Sequence, residues 1–414
     1  LPRNFRFSYR HKIVQVEKMS MQRVGYLDGL RGLAAIQVVL NHYVLAFAPG
    51  WAAPLGFFAD GGAAVLLFFL MSGLVLTYSF ERSPNAIAGG MARRFMRLGL
   101  PLAAAVLFAF VLQNSFPGWT APAAQKAGSA WLASTRVSAD WLPAIADLSG
   151  MTMLTGYSVT TLFGILVSCV PNILTSSNNP IWSLHIEFWG SALVLGLVWA
   201  RARSNRLYIS VLGASVVLIG ANALILFVVG HLSALLVRMG HSRRRGERPA
   251  IALAALALLA AGIWLCEDHN VRYYIQNHVP GAWRVVNAAS LGNVVRPYLS
   301  FDSTMMVGAI MVYIAVLVLP VAQRICSMRL PAWLGRMSFP IYLLHWPIMM
   351  TVGSMTFLFA SPLGQQIAAI TALLVGLLVT LPLAILFERF VDQPAIALSR
   401  VFGRFTVLKG AQQT

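Results

Sequence analysis

Between Tyr26 and Tyr43 the chain reads YLDGLRGLAAIQVVLNHY, an apolar run of helix length that nevertheless carries Arg31 and His42. At about 100° and 1.5 Å per residue, eleven positions bring these side chains to within roughly 20° of each other around a helix and some 16 Å apart along it. A membrane helix with this sequence would hold a cation near one surface and a titratable imidazole deep in the bilayer. Ionisable groups at that depth are costly and mark function by default.

Three further clusters carry chemistry. In MARRFMRLGLP, Arg94 and Arg97 sit at i and i+3 and share a helix face. Two guanidinium forks on one face suit phosphate, which they can bind bidentately; ordinary flanking of a span by cations accounts for either one taken singly. In NPIWSLHIEFWG, residues 179–190, Glu187 has Ser183, Gly190 and Ser191 on its own helix face, a small and polar stripe that should meet other helices. Trp182 and Trp189 fit an interfacial belt, and His185 either faces headgroups or packs locally. Glu187 either dips into the headgroup layer or serves the imidazole of His42, at a comparable depth in the outer half of the membrane. In MSFPIYLLHWPI, residues 337–348, Ser338, Tyr342 and His345 form an i, i+4, i+7 stripe near mid-bilayer, suited to hydrogen bonding between helices or to a substrate path. His231 reads as a packing histidine, and Gly62, Ser72 and Gly73 as a site of close helix approach.

The elements that must position these groups follow from composition. Hydrophobic residues make up 58% of the chain and charged residues 11%, far from a soluble globular balance. The reading is an all-α polytopic membrane protein. A formal charge of +18 would point to nucleic acid in a soluble chain; here it reflects the cationic excess of cytoplasmic loops, and no nucleic-acid partner is expected. Cys169, Cys266 and Cys326 are scattered, without a disulfide framework or metal spacing. No metal site is expected, and no P-loop, dinucleotide fingerprint or serine elbow is present. The first residues are basic and lack the apolar core of a cleavable signal.

Apolar runs predict ten spans, near 29–48, 60–80, 98–114, 184–200, 207–220, 222–237, 249–266, 303–321, 337–357 and 365–387. With both termini cytoplasmic, only Lys126, Arg136, Arg272, Arg284 and Arg296 of the 31 Lys and Arg fall outside. Segment 151–171 is then re-entrant or at the surface. A single helix over 207–237 would run about 46 Å, well beyond a hydrocarbon core of about 30 Å, and Gly220 and Asn222 offer a break. The organisation expected is a basic cytoplasmic extension at 1–25, a membrane domain at 26–394 and a basic cytoplasmic tail at 395–414. On this topology Arg31, Arg94 and Arg97 gather at the cytoplasmic face, and Glu187 lies near the outer one.

The motifs Arg31-x10-His42, FFLMSGLVL at 68–76, RRFMRLGLP at 93–101, IWSLHIEFW at 181–189 and IYLLHWP at 341–347 together resemble the acyltransferase-3 family of integral membrane acyltransferases. They run in family order from residue 26 to about 394. His185 departs from the small residue usual at its position. The resemblance implies about ten helices in a bacterial inner membrane and transfer of an acyl group, usually acetyl, from cytoplasmic acyl-CoA. Acceptors in the family are hydroxyls of exported glycans or glycolipids (exopolysaccharide, O-antigen, Nod factor), or small molecules. It implies a catalytic role for His42 and donor binding for Arg31, Arg94 and Arg97. Glu187 is expected to orient the imidazole, with Trp182, Ser183, Tyr342 and His345 near the substrate. A proton-coupled transporter or flippase is the competing class, since carriers also bury His and Glu beside broken helices.

Overall fold

A computed structural model describes residues 25–82, 87–135, 141–157, 176–220, 222–238, 249–267 and 303–411, with the backbone alone at Arg238 and beyond residue 402. Every regular element among the described residues is helical. The principal helices are α1 Gly25–Phe47, α2 Gly61–Phe80, α3 Ile87–Ser115, α4 Thr120–Ala127, α5 Ala130–Ser134, α6 Trp141–Leu148, α7 Met151–Thr155, α8 Trp182–Arg203 and α9 Asn205–Ile219. They continue with α10 Ile225–Arg238, α11 Pro249–Glu267, α12 Ser303–Val318, α13 Pro320–Cys326, α14 Arg329–Ile348, α15 Ser354–Ala360, α16 Gln365–Phe387 and α17 Gln393–Ala411. Among the described residues, seven helical stretches are long and apolar enough to cross a membrane, or eight if the bent pair α12–α13 counts as one.

The remaining two of the ten expected spans are α9 and α10, apolar helices of 15 and 14 residues, short of the roughly 20 that a full crossing takes. The chain does turn at Gly220, whose φ of +55° suits a residue without a Cβ. Over the expected span at 303–321 the helix is bent, with α12 and α13 meeting at 92°. Pro320 opens α13, and a proline disfavours helical geometry in the residue before it, so Leu319 is extended. Of segment 151–171, α7 is helical and residues 158–171 lie outside the described residues, as do Asp268, His269 and the rest of 268–302.

Close crossings of small residues hold the bundle. Gly29, Gly32 and Gly335 bring α1 against the α13–α14 segment, a Cβ on Gly32 standing only 2.5 Å from the Gly335 nitrogen. Gly32 meets Gly335, and ten residues on in each helix His42 meets His345, so α1 and α14 run parallel. Gly73 and Gly230 do the same for α2 and α10, and Gly262 and Gly308 for α11 and α12. Between apolar helices in lipid, such backbone approach is what van der Waals packing rewards. Ser72, expected with Gly73 at a packing seam, instead faces Arg31.

Two polar fasteners complete the frame. Pro347 has no N–H for the Leu343 carbonyl one turn earlier in α14, and the Asn178 side-chain amide donates to that carbonyl at 2.8 Å. The start of α8 is thereby tied to the middle of α14. Before it, buried Asp147 accepts from the Tyr157 hydroxyl at 2.6 Å and the Ser176 hydroxyl at 2.8 Å. Burial raises the Asp147 carboxyl above the usual range while these hydrogen bonds pull it back.

Candidate active site

Arg31, Arg94 and Arg97 converge on one cavity from α1 and α3. Its volume is about 130 Å³, and Ser72, Ser183, Glu187, Ser338, Phe339 and Tyr342 are among the residues that line it. Each of two arginines is held by a carboxylate. Arg94 makes an ion pair with Glu187, and its Nε donates to Ser191 at 2.7 Å. Arg97 makes a two-pronged pair with Asp392, one prong at 3.2 Å, and lies over the Phe339 ring at 5.4 Å. Arg31 donates to the Ser72 hydroxyl at 3.3 Å. An arginine offers five N–H donors, so a single carboxylate partner orients the fork and leaves donors over.

This contact overturns one expectation. Charge counting put Arg94 at the cytoplasmic mouth and Glu187 near the opposite surface, yet the two side chains touch. The physical reason is that a flanking-charge rule reports the side on which a loop lies and carries no information on depth within a helix. α3 and α8 run antiparallel, with Gly90 against Leu195 and Arg94 against Ser191, so residues early in α3 meet residues well inside α8.

The imidazole of His42 stands at the far end of the same helix as Arg31. Its Nδ1 lies 2.8 Å from Nε2 of His345, and the two rings are within 6° of coplanar with centroids 5.1 Å apart. Two imidazoles joined in line through ring nitrogens have centroids separated by roughly the hydrogen-bond length plus one ring width, so the contact is an in-plane hydrogen bond. Glu187 engages Arg94, and the partner of the His42 ring is His345; the expected Glu187–His42 pairing is thereby corrected. The Trp131 ring is within 18° of parallel to that of His42 with centroids 5.6 Å apart, and Trp346 stands edge-on at 5.0 Å.

Trp131 was not singled out by sequence. It belongs to α5, which with α4 caps the bundle above His42. Ser129 donates to the Leu45 carbonyl at 2.6 Å, Thr120 to Met350 at 2.9 Å, and Gln365 to Ala127 at 2.9 Å. Those distant contacts, with the packing of Ala123, Ala124, Ala127 and Leu132 into the same apolar cluster as α1, bring the short helix to the imidazole. Asp392 was also missed, although an acid just beyond the last apolar run, among 13 Asp and Glu in all, was a usable signal.

The stripe Ser338, Tyr342, His345 does form one face of α14. Ser338 and Tyr342 line the cavity, and the Tyr342 ring lies 6.0 Å from that of His345. Tyr342 therefore stands between the arginine cluster and the histidine pair. The Tyr342 hydroxyl donates to the Pro180 carbonyl and lies 2.8 Å from the Ser183 hydroxyl. Trp182 packs against the main core and is not among the cavity-lining residues. His185 is fully buried, 2.9 Å from the Met153 carbonyl, which excludes the headgroup-facing alternative. His231 is a packing histidine, between the Thr77 hydroxyl at 2.9 Å and the Tyr208 hydroxyl at 3.2 Å. No group of His, Cys, Asp and Glu that could hold a metal ion occurs among the described residues.

Among the described residues, an all-helical bundle with several helices long and apolar enough to cross a membrane, enclosing arginines and imidazoles, defines an integral membrane protein with a polar interior. A family described as an acyltransferase domain matches residues 24–389. The chain belongs to that acyltransferase-3 family of membrane acyltransferases. No curated protein and no solved structure gives a match.

Proposed function

We propose that the protein is an O-acyltransferase that takes an acyl group, acetyl in the first instance, from cytoplasmic acyl-CoA and transfers it to a hydroxyl of an exported or surface glycan. The reading places ten spans in a bacterial inner membrane with both termini cytoplasmic. The observation that supports it is the convergence of three guanidinium groups on one cavity beside the histidine pair. Tyr342 is among the residues lining that cavity, and its ring lies 6.0 Å from that of His345, the partner of His42. On a helix, Arg31 and His42 are about 16 Å apart, a span that a narrow thioester-bearing arm crosses while its phosphates stay at the arginines.

In this mechanism Arg31, Arg94 and Arg97 hold donor phosphates, and Glu187 and Asp392 hold the two paired forks in place. The acceptor hydroxyl is far too weak an acid to ionise alone at neutral pH. His42 takes its proton as the oxygen attacks the thioester carbonyl. The C–S bond then breaks, and the imidazolium returns the proton to the departing thiolate.

The test compares surface and secreted glycans from a strain lacking the protein, one restored with wild type and one restored with His42→Ala. NMR and mass spectrometry count O-ester groups. Esters that return with wild type and not with the variant support the proposal and name the acceptor. Unchanged esters in all three strains refute the glycan acceptor.

A further inference from the structure

We propose that His345 is a positioning residue that fixes the tautomer of His42, directing the reactive lone pair to Nε2. The proposal rests on the reading of His42 as the base and adds the group that sets its chemistry.

The argument is a proton count along one hydrogen-bonded line. Nδ1 of His345 lies 3.0 Å from the Ile341 carbonyl oxygen. A carbonyl can only accept, so Nδ1 of His345 carries the hydrogen. A neutral imidazole has one N–H, so Nε2 of His345 is a lone pair. That lone pair lies 2.8 Å from Nδ1 of His42, and the hydrogen between them therefore belongs to His42. His42 then has its hydrogen on Nδ1 and its lone pair on Nε2. With the rings within 6° of coplanar, the lone pair of His345 points along the N–H bond that it accepts.

The arrangement differs from the common solution in which a carboxylate orients a catalytic imidazole. A buried carboxylate would bring a full negative charge into the bundle, at high desolvation cost. A second neutral imidazole supplies the same acceptor without it. Its own orientation is set by a backbone carbonyl one turn earlier in α14, so the device is built into the helix. The 303-residue separation of the partners is maintained by the close parallel approach at Gly32 and Gly335.

Three features of the surroundings confine His42 to this state. Trp131 lies beside the ring with centroids 5.6 Å apart, and Trp346 stands edge-on to it. Leu343, two residues before His345, has its carbonyl engaged by Asn178. Ile341 is fully buried, so its carbonyl faces no bulk water. Without the acceptor at Nδ1, the His42 hydrogen would move readily to Nε2, leaving the lone pair on the side facing His345.

The test uses detergent-permeabilised membranes containing the full chain and their endogenous acceptor. Acetyl-CoA labelled in its acetyl group is the donor, and protein amount is fixed by immunoblot. His345→Phe keeps a flat ring and removes the acceptor; His345→Leu is the alternative should Phe fail to accumulate. His345→Gln places an amide oxygen about where Nε2 stands. The expected result is that the acceptor-less variant loses at least about tenfold in kcat, a modest share of what acid–base catalysis supplies. Its KM for acetyl-CoA should stay within about twofold, and His345→Gln should recover several-fold over it. A Gln variant no better than Phe or Leu, or an acceptor-less variant at the wild-type rate, overturns the proposal. His42→Ala is run alongside. If that variant transfers at the wild-type rate, the functional reading itself falls, independently of His345.

Discussion

Gly32→Ala should disable the protein from a position that touches neither the cavity nor the histidines. Gly32 lies ten residues before His42, about 15 Å along α1. A Cβ there would stand 2.5 Å from the Gly335 nitrogen and 2.7 Å from the Leu334 Cβ. Ordinary contact begins near 3.4 Å, so α1 and α14 must part by about 0.9 Å. Parting as rods, they would lengthen the 2.8 Å His42–His345 contact to about 3.7 Å, where a hydrogen bond no longer exists. Overpacking of this kind costs about 1–3 kcal/mol of stability, and a misplacement near 1 Å costs on the order of 100-fold in rate. The assay is label transfer from acetyl-CoA in permeabilised membranes, with thermal stability of the purified protein followed in parallel. Gly196→Ala in α8 is the control, since a Cβ there meets nothing within 4 Å. It should be neutral or stabilising by up to about 1 kcal/mol. A Gly32→Ala protein of wild-type abundance and wild-type rate would refute the reasoning.

Arg94→Gln strands a carboxylate in the bundle, so the protein should lose about 3 kcal/mol and accumulate poorly. Adding Glu187→Gln should restore accumulation without restoring transfer, and recovered transfer in the double variant would remove Arg94 from the donor site. Asn178→Ala leaves the Leu343 carbonyl unpaired and should cost about 1–3 kcal/mol. The same change made in a Pro347→Ala background should cost less, because alanine at that position returns the helix's own N–H to the carbonyl; equal costs in a double-mutant cycle would show that Asn178 does not complete that turn.

Patterns confined to one helix were readable in the sequence. Arg31 and His42 share a face, and Ser338, Tyr342 and His345 form one stripe, because helical periodicity alone decides both. The break between α9 and α10 was equally visible, since a glycine at positive φ followed by Asn222 interrupts an over-long apolar run. What sequence did not reveal was which face meets which. Glu187 was assigned to His42 because both were placed in the outer half of the membrane, but antiparallel packing of α3 on α8 delivers Arg94 to it. His345 was grouped with substrate contacts because nothing local says that α14 runs parallel to α1, in register. Trp131 lies in a five-residue helix with no chemical signature, and long-range hydrogen bonds to Leu45, Met350 and Gln365, with apolar packing on α1, carry its neighbourhood to His42. The 92° bend after Val318 was in principle available from Pro320, which lies inside the expected span 303–321.

The pairing of α1 with α14 also dictates when the protein becomes active during its own synthesis. The two imidazoles are 303 residues apart in the chain. At about 5–20 residues per second, some 15–60 seconds separate their emergence from the ribosome. For that interval the first helix sits in the bilayer with a histidine whose tautomer nothing fixes and a glycine face that nothing covers. On the proposed mechanism, a chain stalled before α14 carries Arg31, Arg94 and Arg97 but lacks the residue that sets the tautomer of His42. On that reading, emergence of α14 is the step at which the site becomes complete.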